Sequence, residues 1–469
     1  MTKRFAAVSF TAWLALAIPP TPGARALDNV KTDLGRLSGV SLTGGVTAFL
    51  GIPYTAPPVG DLRWRPPQPA SPWTDIRKVD HFGASCMQNE AGSRLPWTEE
   101  FMTQGPISED CLFLNVWTAA GNVAPKQAVM FWIYGGGFNE GSGQVAVYDG
   151  AQLARKGVIV VSANYRVGPL GFLAHPDLSR ESEHRVSGNY GILDQIAALQ
   201  WVHRNIAAFG GDPSRVTIFG QSAGALSVTA LMKSPLARGL FARAIAQSGP
   251  GLLRSNALGA NATLADREAA GARYAEARGA KTLADLRALP AASFFGAGRG
   301  GVPGPPNGPF KDGWVLPDVD PVDQVPLMIG LVADDIGLGN LDAAQKPAAR
   351  ERMRVSLDQW AADQQKASKT MFTYYFDRVI PWPAHPEFGA FHTSEVPYVF
   401  DTIARLDRPW LPADRKLADQ MSSYWSNFAK NGDPNGAELP PWPAYDPAAH
   451  VTMELGDRVG AMPVGQRPE

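Results

Sequence analysis

The chain has 469 residues, of which 45% are hydrophobic and 19% are charged, and its 43 Lys and Arg nearly balance its 44 Asp and Glu. This apolar content and near-zero net charge exclude a disordered chain. The chain therefore has no overall basic field to hold a nucleic-acid backbone, and no nucleic-acid partner is expected. Only 2 residues are cysteine, so a hydrophobic core rather than a disulfide framework must hold the fold.

The first 26 residues have the features of a secretory signal peptide. Lys3 and Arg4 precede an apolar run of 14 residues that ends at Ile18, and the small residues Ala24 and Ala26 follow shortly after. A run of this length is too short to cross a bilayer, which argues against a membrane anchor, and no later segment is long and apolar enough. We predict cleavage after about Ala26, a secreted or periplasmic protein, and a mature chain with net charge −4.

Export also changes what the two cysteines indicate. Cys86 and Cys111 lie 25 positions apart, and in an oxidising compartment such a pair is predicted to form one disulfide bond. Two unpaired structural thiols are the alternative if the protein is not exported.

Short apolar runs alternate with helix-like patterns from Gln127 onward. The runs are rich in Val, Ile and Ala, as buried parallel strands are, and they predict strands at residues 129–134, 158–163, 215–219, 242–247 and 327–332. Apolar spacing of three to four residues predicts helices at residues 190–205, from about 223, at 350–369 and at 412–430. The Gly-Gly-Asp-Pro sequence at residues 210–213 predicts a turn before the strand at 215–219. Such alternation predicts an α/β fold with a mostly parallel central sheet.

No pattern in the chain marks a domain boundary. The stretch of residues 296–309 is rich in Gly and Pro, but the sheet pattern before it is incomplete, so we predict an ordered loop over the sheet rather than a linker. Residues 27–469 are therefore expected to form a single domain.

One short motif predicts a nucleophile. Gly220 and Gly224 flank Ser222 at two positions on either side, directly after a predicted strand and before a predicted helix. A serine in this setting lies on a sharp turn with its hydroxyl projecting, and side chains larger than that of glycine would clash at the flanking positions. A serine that merely caps a helix would not explain both glycines, so Ser222 is the predicted nucleophile.

A nucleophilic serine needs backbone donors for the oxyanion that its attack creates. An earlier predicted strand ends in three consecutive glycines, which leave backbone N–H groups open to a reacting carbonyl. The predicted donors are the N–H groups of Gly136, Gly137 and Ala223. The glycines alone would also fit a flexible turn, but their combination with the serine motif favours an oxyanion hole.

The acid and the base are expected to follow the serine, with the acid first. Of the downstream histidines, His385 lies beside prolines and His450 opens a terminal segment, so we choose His392, which precedes an aromatic and apolar run. Asp334 and Asp335 come just after the last predicted strand, and one of these would orient the histidine ring. Spacing alone does not separate the two aspartates.

With these motifs the chain resembles the type-B carboxylesterases, the branch of the α/β-hydrolase fold that includes bacterial para-nitrobenzyl esterases and cholinesterases. The shared strings are dense from residue 30 to about 250 and include residues 49–54, 108–117, 131–138, 209–213 and 216–225. The resemblance implies ester hydrolysis, with Ser222 as nucleophile and His392 as base. It also implies the following further roles: oxyanion donors at Gly136, Gly137 and Ala223, a disulfide between Cys86 and Cys111, and the acid at Asp335, where the family usually has Glu.

Departures from the family pattern bear on the substrate. Gln221 stands where the family usually has Glu, which removes a negative charge beside the site. Phe101, with Trp97 nearby, stands where cholinesterases have the tryptophan that holds choline, so a choline site is not expected. The segment between residues 296 and 327 is short, which predicts a more open site.

Together, these residues predict a secreted serine hydrolase that cleaves small-molecule carboxylic esters through a Ser-His-Asp triad and an acyl-enzyme. No cluster of Cys and His ligands occurs, so neither a metal nor a cofactor is expected. Cleavage of lactones, amides or carbamates, or acyl transfer, are alternatives on the same site. A non-catalytic, neuroligin-like binding module is a further alternative, against which the retained Ser222 and His392 argue.

Overall fold

The computed structural model describes residues 27, 29–89, 94–119, 126–249, 262–295, 307–317, 324–336 and 344–464. The predicted signal peptide, residues 1–26, and most of the predicted loop 296–309 lie outside the described residues. None of the helices in the described ranges is long and apolar enough to cross a membrane.

A large sheet runs through the described chain. The strands are β1 (Val30–Lys31), β2 (Arg36–Ser38), β3 (Val40–Ser41), β4 (Thr47–Pro53), β5 (Arg77–Lys78), β6 (Ser85–Cys86), β7 (Ile107–Ser108), β8 (Phe113–Thr118), β9 (Gln127–Ile133), β10 (Val158–Ala163), β11 (Gly211–Gln221), β12 (Arg243–Gln247), β13 (Leu327–Val332), β14 (Met371–Phe376), β15 (Val451–Leu455) and β16 (Val459–Pro463). Eleven of them form one sheet, in the order β16-β15-β14-β13-β12-β11-β9-β10-β8-β4-β3.

The middle of this sheet is parallel, and its edges are antiparallel. Every neighbouring pair from β10 through β9, β11, β12, β13 and β14 to β15 is parallel. The edge strands β8, β4, β3 and β16 pair antiparallel. All residues of β10 are buried, because helices cover both faces of a parallel sheet.

The helices that accompany the sheet differ in how their ends are stabilised. They are α1 (Ala151–Arg155), α2 (Gly168–Phe172), α3 (Pro176–Glu181), α4 (Tyr190–Asn205), α5 (Ala223–Lys233), α6 (Leu264–Glu276), α7 (Leu283–Ala288), α8 (Lys346–Lys366), α9 (Val396–Val399) and α10 (Pro412–Asn431). Helix α10 begins with Pro412, whose missing N–H would have had no helical partner, and it ends before Gly432 at φ 78°. A capping box of Thr263 and Asp266 begins α6.

The fold predicted from the sequence is confirmed at its centre. Strands β10 and β13 and helix α4 have the predicted bounds, because their apolar residues follow the strand or helix period without interruption. Strand β11 begins at Gly211, inside the turn predicted at residues 210–213, and its register against β9 shifts between Gly211 and Val216. The segment therefore pairs with β9 at Gly211 although it contains residues that favour a turn.

The direction of the strands positions the site. Because β9, β11 and β13 run parallel within one sheet, the residues that follow them lie at the same edge. Gly135, Ser222 and Asp335 each come shortly after one of these strands. This edge, where the parallel strands end, is called the carboxyl edge below.

Candidate active site

Ser222 lies on the sharp turn between β11 and α5, with φ 58° and ψ −122°. A Cβ atom at Gly220 would lie 2.6 Å from the carbonyl oxygens of Gly224 and Ile133, and one at Gly224 would overlap the oxygen of Ile133. Both glycines are therefore required for the helix to begin this close to the neighbouring strand. The backbone N–H of Ser222 donates to the carbonyl of Gln247 at 2.9 Å, which ties the turn to β12.

The glycines after β9 form a second turn beside the first. Gly136 has φ 111° and Gly137 has φ 63°, and a Cβ atom at Gly136 would overlap the backbone oxygen of Glu140. The N–H groups of Gly136 and Gly137 have no hydrogen-bond partner within the described ranges. Ala223 is the first residue of α5, so its N–H has no partner inside the helix. Three backbone donors are thus available near Ser222.

His392 and Asp335 meet at the carboxyl edge. Nδ1 of His392 contacts Oδ1 of Asp335, and the two residues are 5% and 6% exposed. Oδ1 of Asp335 also accepts from the N–H of Ile336 at 2.8 Å. Asp334 points elsewhere: its Oδ2 accepts from the N–H of Ala390 at 2.9 Å. Asp335 therefore contacts the ring of His392, whereas Asp334 binds the backbone of the loop that carries His392.

The other candidate histidines have other partners. Nδ1 of His385 lies 3.0 Å from Glu387, and Nδ1 of His450 lies 3.3 Å from Asp358. Among the histidines of the described segments, His392 is therefore the one that contacts an aspartate at the carboxyl edge.

A distant segment holds the backbone of the histidine loop. Cys86 and Cys111 are joined by a disulfide bond, and the segment between them is called the disulfide loop. From this loop the indole N–H of Trp97 donates to the carbonyl of His392 at 3.1 Å and to the hydroxyl of Thr393 at 3.3 Å. The disulfide loop thus contributes to the position of the histidine.

A second buried carboxyl group lies near the ring. Glu395 is fully buried, and burial raises its pKa to about 7, with the charge of His392 opposing that rise. Its Oε1 accepts from the amide of Gln247 at 3.3 Å, while Oε2 has no hydrogen-bond partner in the described structure. Glu395 is not among the residues predicted from the sequence, although an acidic residue inside the apolar run after His392 is a visible signal.

These groups together determine the charge state of His392. Burial lowers the pKa of the ring, but the charge and hydrogen bond of Asp335, together with the charge of Glu395, outweigh burial and raise it above 6.5. A base with a raised pKa loses activity to protonation at a higher pH than an exposed histidine does.

Gln221 is also in contact with the ring. Its side-chain nitrogen lies 3.1 Å from Nε2 of His392. Within the described segments, Oγ of Ser222 has no hydrogen bond to His392 or to another side chain. The change of charge at Gln221 is visible in the sequence, but its contact with the ring of His392 is not.

A serine on a strand–turn–helix elbow, with free backbone donors and a histidine–carboxylate pair on the same edge of a mostly parallel sheet, defines the class of α/β-hydrolases. No group of three or more His, Cys, Asp or Glu in the described ranges is arranged to hold a metal ion.

Comparison with known proteins narrows the class to a family. The model of the carboxylesterase family matches residues 27–359 and 351–466. The chain is 37% identical over 522 aligned positions to the fumonisin B1 esterase of Sphingopyxis macrogoltabida, covering 97% of this chain and 92% of that protein. It is 34% identical over 491 positions to the para-nitrobenzyl esterase of Bacillus subtilis strain 168, covering 92% and 95%. It is also 48% identical to the cholinesterase of Mus musculus over 249 positions, covering 51% of this chain and 40% of that protein.

The chain belongs to the carboxylesterase family and is a carboxylic-ester hydrolase. The predicted α/β-hydrolase fold, family and reaction type are confirmed.

Proposed function

We propose that Ser222, His392 and Asp335 form the catalytic triad of this esterase and that the reaction passes through an acyl-enzyme. The observation that carries the proposal is the contact between Nδ1 of His392 and Oδ1 of Asp335, at the edge of the sheet where Ser222 projects. An ionised carboxylate only accepts hydrogen bonds, so Nδ1 carries the ring proton and Nε2 is free to accept another.

In the first step, Oγ of Ser222 attacks the ester carbonyl carbon while its proton moves to Nε2 of His392. The carbonyl oxygen becomes an oxyanion, which accepts hydrogen bonds from the N–H groups of Gly136, Gly137 and Ala223. The imidazolium then gives its proton to the leaving alcohol as the carbon–oxygen bond breaks. A water molecule then attacks the acyl-enzyme carbonyl carbon while His392 takes one of its protons. The bond to Oγ of Ser222 breaks, His392 returns the proton to Oγ, and the carboxylic acid is released.

Replacing Ser222 tests the nucleophile. Ser222→Ala is expected to lower kcat for a short p-nitrophenyl ester by about 10⁵- to 10⁶-fold, because the covalent route is lost. Ser214→Ala, an exposed serine at the other end of β11, is the matched control and should retain wild-type turnover. An organophosphonate should label the wild-type protein at Ser222, as mapped by mass spectrometry. Wild-type turnover by Ser222→Ala would exclude the proposal.

We propose that the alcohol portion of the substrate is not cationic. Gln221 carries no charge, and the buried ring of Phe101 packs edge-on against Phe391 with centroids 5.8 Å apart. The guanidinium of Arg94 lies 5.6 Å from the ring centre of Trp97, so a cation of the protein itself occupies that aromatic face.

A matched pair of substrates tests this preference. Butyrylcholine and its uncharged isostere 3,3-dimethylbutyl butyrate differ in charge but hardly in shape. We expect kcat/KM for the uncharged ester to equal or exceed that for butyrylcholine, and a preference for butyrylcholine of more than about 10-fold would indicate a cation site. Since one relative is named for fumonisin B1, that ester belongs in the same substrate panel.

We also propose export and a single domain. The charged, apolar and small-residue pattern of residues 1–26 supports a cleaved signal peptide, and a disulfide bond is typical of an oxidising compartment. The continuous sheet from β3 to β16 supports one domain over residues 27–469. The exported protein is expected to begin near Leu27 by N-terminal sequencing and to unfold in one transition. A cytoplasmic protein that begins at Met1 would contradict export, and two separate unfolding transitions would contradict a single domain.

A further inference from the structure

The side chain of Gln221, the last residue of β11, faces the ring of His392. Gln221 is buried, and its amide nitrogen lies 3.1 Å from Nε2 of His392. Nε2 is the atom that must accept the proton of Ser222 in the proposed reaction. In the resting structure this atom therefore faces Gln221, while Oγ of Ser222 makes no hydrogen bond to it within the described residues.

The chemistry of the ring determines the direction of this hydrogen bond. Nδ1 of His392 faces the carboxylate of Asp335, so Nδ1 carries the proton of a neutral ring and Nε2 presents a lone pair. Of the two ends of a primary amide, only the NH₂ group can donate to a lone pair. A protonated ring would place a second N–H against that NH₂ group. The arrangement thus favours the neutral ring.

The charged groups around the ring favour the opposite state. Asp335, after β13, and Glu395, at the start of α9, both stabilise the imidazolium, and Asp335 has the larger effect of the two. Gln221 approaches from β11, on the remaining side of Nε2. It is the neighbour whose hydrogen bond is lost when the ring becomes protonated.

We propose that Gln221 is a positioning residue for the base: its amide N–H donates to Nε2 of His392 in the resting enzyme, keeps the ring neutral, and releases Nε2 to the hydroxyl of Ser222 when substrate binds. The inference rests on the roles proposed above for Ser222 and His392. No atom of Gln221 takes part in the proton transfer, in which the O–H bond of Ser222 breaks and an N–H bond forms at His392.

Two variants test the inference through the pH dependence of hydrolysis. Gln221→Glu replaces the donor by an anionic acceptor, which favours the imidazolium. We expect the acidic limb of kcat/KM for p-nitrophenyl butyrate to move to higher pH by about 1 unit or more. Gln221→Met removes the donor at similar size and adds no charge, and the expected upward shift is about half a unit. Gln200→Glu, at an exposed position on α4, controls for the added charge and should leave the profile unchanged.

The split between kinetic constants gives a second readout. The shift is expected in kcat/KM, which reports the free enzyme, and should be smaller in kcat, because Gln221 has released Nε2 in the substrate complex. A purely structural role for Gln221 would lower activity at all pH values and leave both limbs in place.

Unshifted acidic limbs in both Gln221 variants would overturn the inference. If Gln221→Glu does not fold, the Met variant decides alone, since an unshifted limb there refutes the hydrogen bond. His392→Ala separates this failure from failure of the proposed triad. An inactive His392→Ala together with unshifted Gln221 variants refutes only the role of Gln221, whereas an active His392→Ala refutes the triad and the inference with it.

Discussion

The two halves of the proposed active site are built from different parts of the chain. In the nucleophile half, Ser222 and the oxyanion donors belong to two short motifs after β11 and β9, strands that pair directly through Gly220 and Ile133. In the acid–base half, His392 and Asp335 are 57 positions apart and lie on loops. In the first half the backbone positions the groups, whereas in the second half contacts between side chains position them.

The two halves are therefore expected to respond to different kinds of substitution. At Gly220, Gly224 and Gly136 in the nucleophile half, neighbouring backbone atoms approach so closely that no side chain larger than that of glycine fits. The acid–base half depends on the charges of Asp335 and Glu395, so its state changes with pH. We expect substitutions in the first half to act through sterics and those in the second to act through protonation.

The largest effect that separates the halves is expected for Asp335→Asn. The amide has the size of the carboxyl group but can donate to Nδ1 of His392, which favours the ring with its proton on Nε2 and leaves no base for Ser222. We expect kcat to fall by about 10⁴-fold with little change in stability. In the control Asp334→Asn, the amide oxygen can still accept from Ala390, and a loss below about 10-fold is expected. Equal losses in the two variants would contradict the assignment.

A smaller loss is expected from Gly136→Ala, which tests the backbone half. The added Cβ would overlap the oxygen of Glu140, so the turn must shift and one oxyanion donor is displaced. We expect kcat to fall by about 10²- to 10³-fold with KM nearly unchanged.

Gly137→Ala is the matched control for that variant. Its Cβ would meet only Asn139, at 3.7 Å, and its φ of 63° is accessible to alanine at a cost of about 1 kcal/mol. A loss of kcat in Gly137→Ala as large as in Gly136→Ala would show that sterics do not control this half.

The smallest effect is expected from Glu395→Gln and concerns stability rather than rate. Because the pKa of Glu395 is raised from 4.5 to about 7, the folded protein holds its proton more tightly than the unfolded chain. The resulting stabilisation is present below pH 4.5 and is lost as the pH rises to about 7. At about 1.4 kcal/mol per pKa unit, the loss is about 3 kcal/mol.

The measurement is the free energy of unfolding by urea at pH 5 and pH 8. The free energy of unfolding of Glu395→Gln minus that of the wild type should be larger at pH 8 than at pH 5, by up to about 3 kcal/mol. Glu438→Gln, which removes an exposed carboxyl group, is the matched control. A pH-independent difference for Glu395→Gln would mean that Glu395 does not titrate between the two pH values.

Much of the fold could be predicted because its central elements are locally encoded. The apolar runs of β10 and β13 and the spacing of α4 indicate their structures without reference to the rest of the chain. The turn predicted at residues 210–213 lies partly inside β11, because pairing with β9 extends that strand beyond its apolar run. Helices α6 and α7 were not predicted, since their apolar residues form only short stripes.

The sequence alone determined the fold class, the family resemblance and the nucleophile motif. These features depend on residues close together in the chain, where steric exclusion around Ser222 and the periodicity of apolar residues operate. Which side chains contact His392 depends on the tertiary structure. Gln221 is 171 positions away, and Trp97, which binds the histidine carbonyl, is 295 positions away. Such contacts follow from the order of strands in the sheet and the path of the disulfide loop, which short-range spacing does not encode.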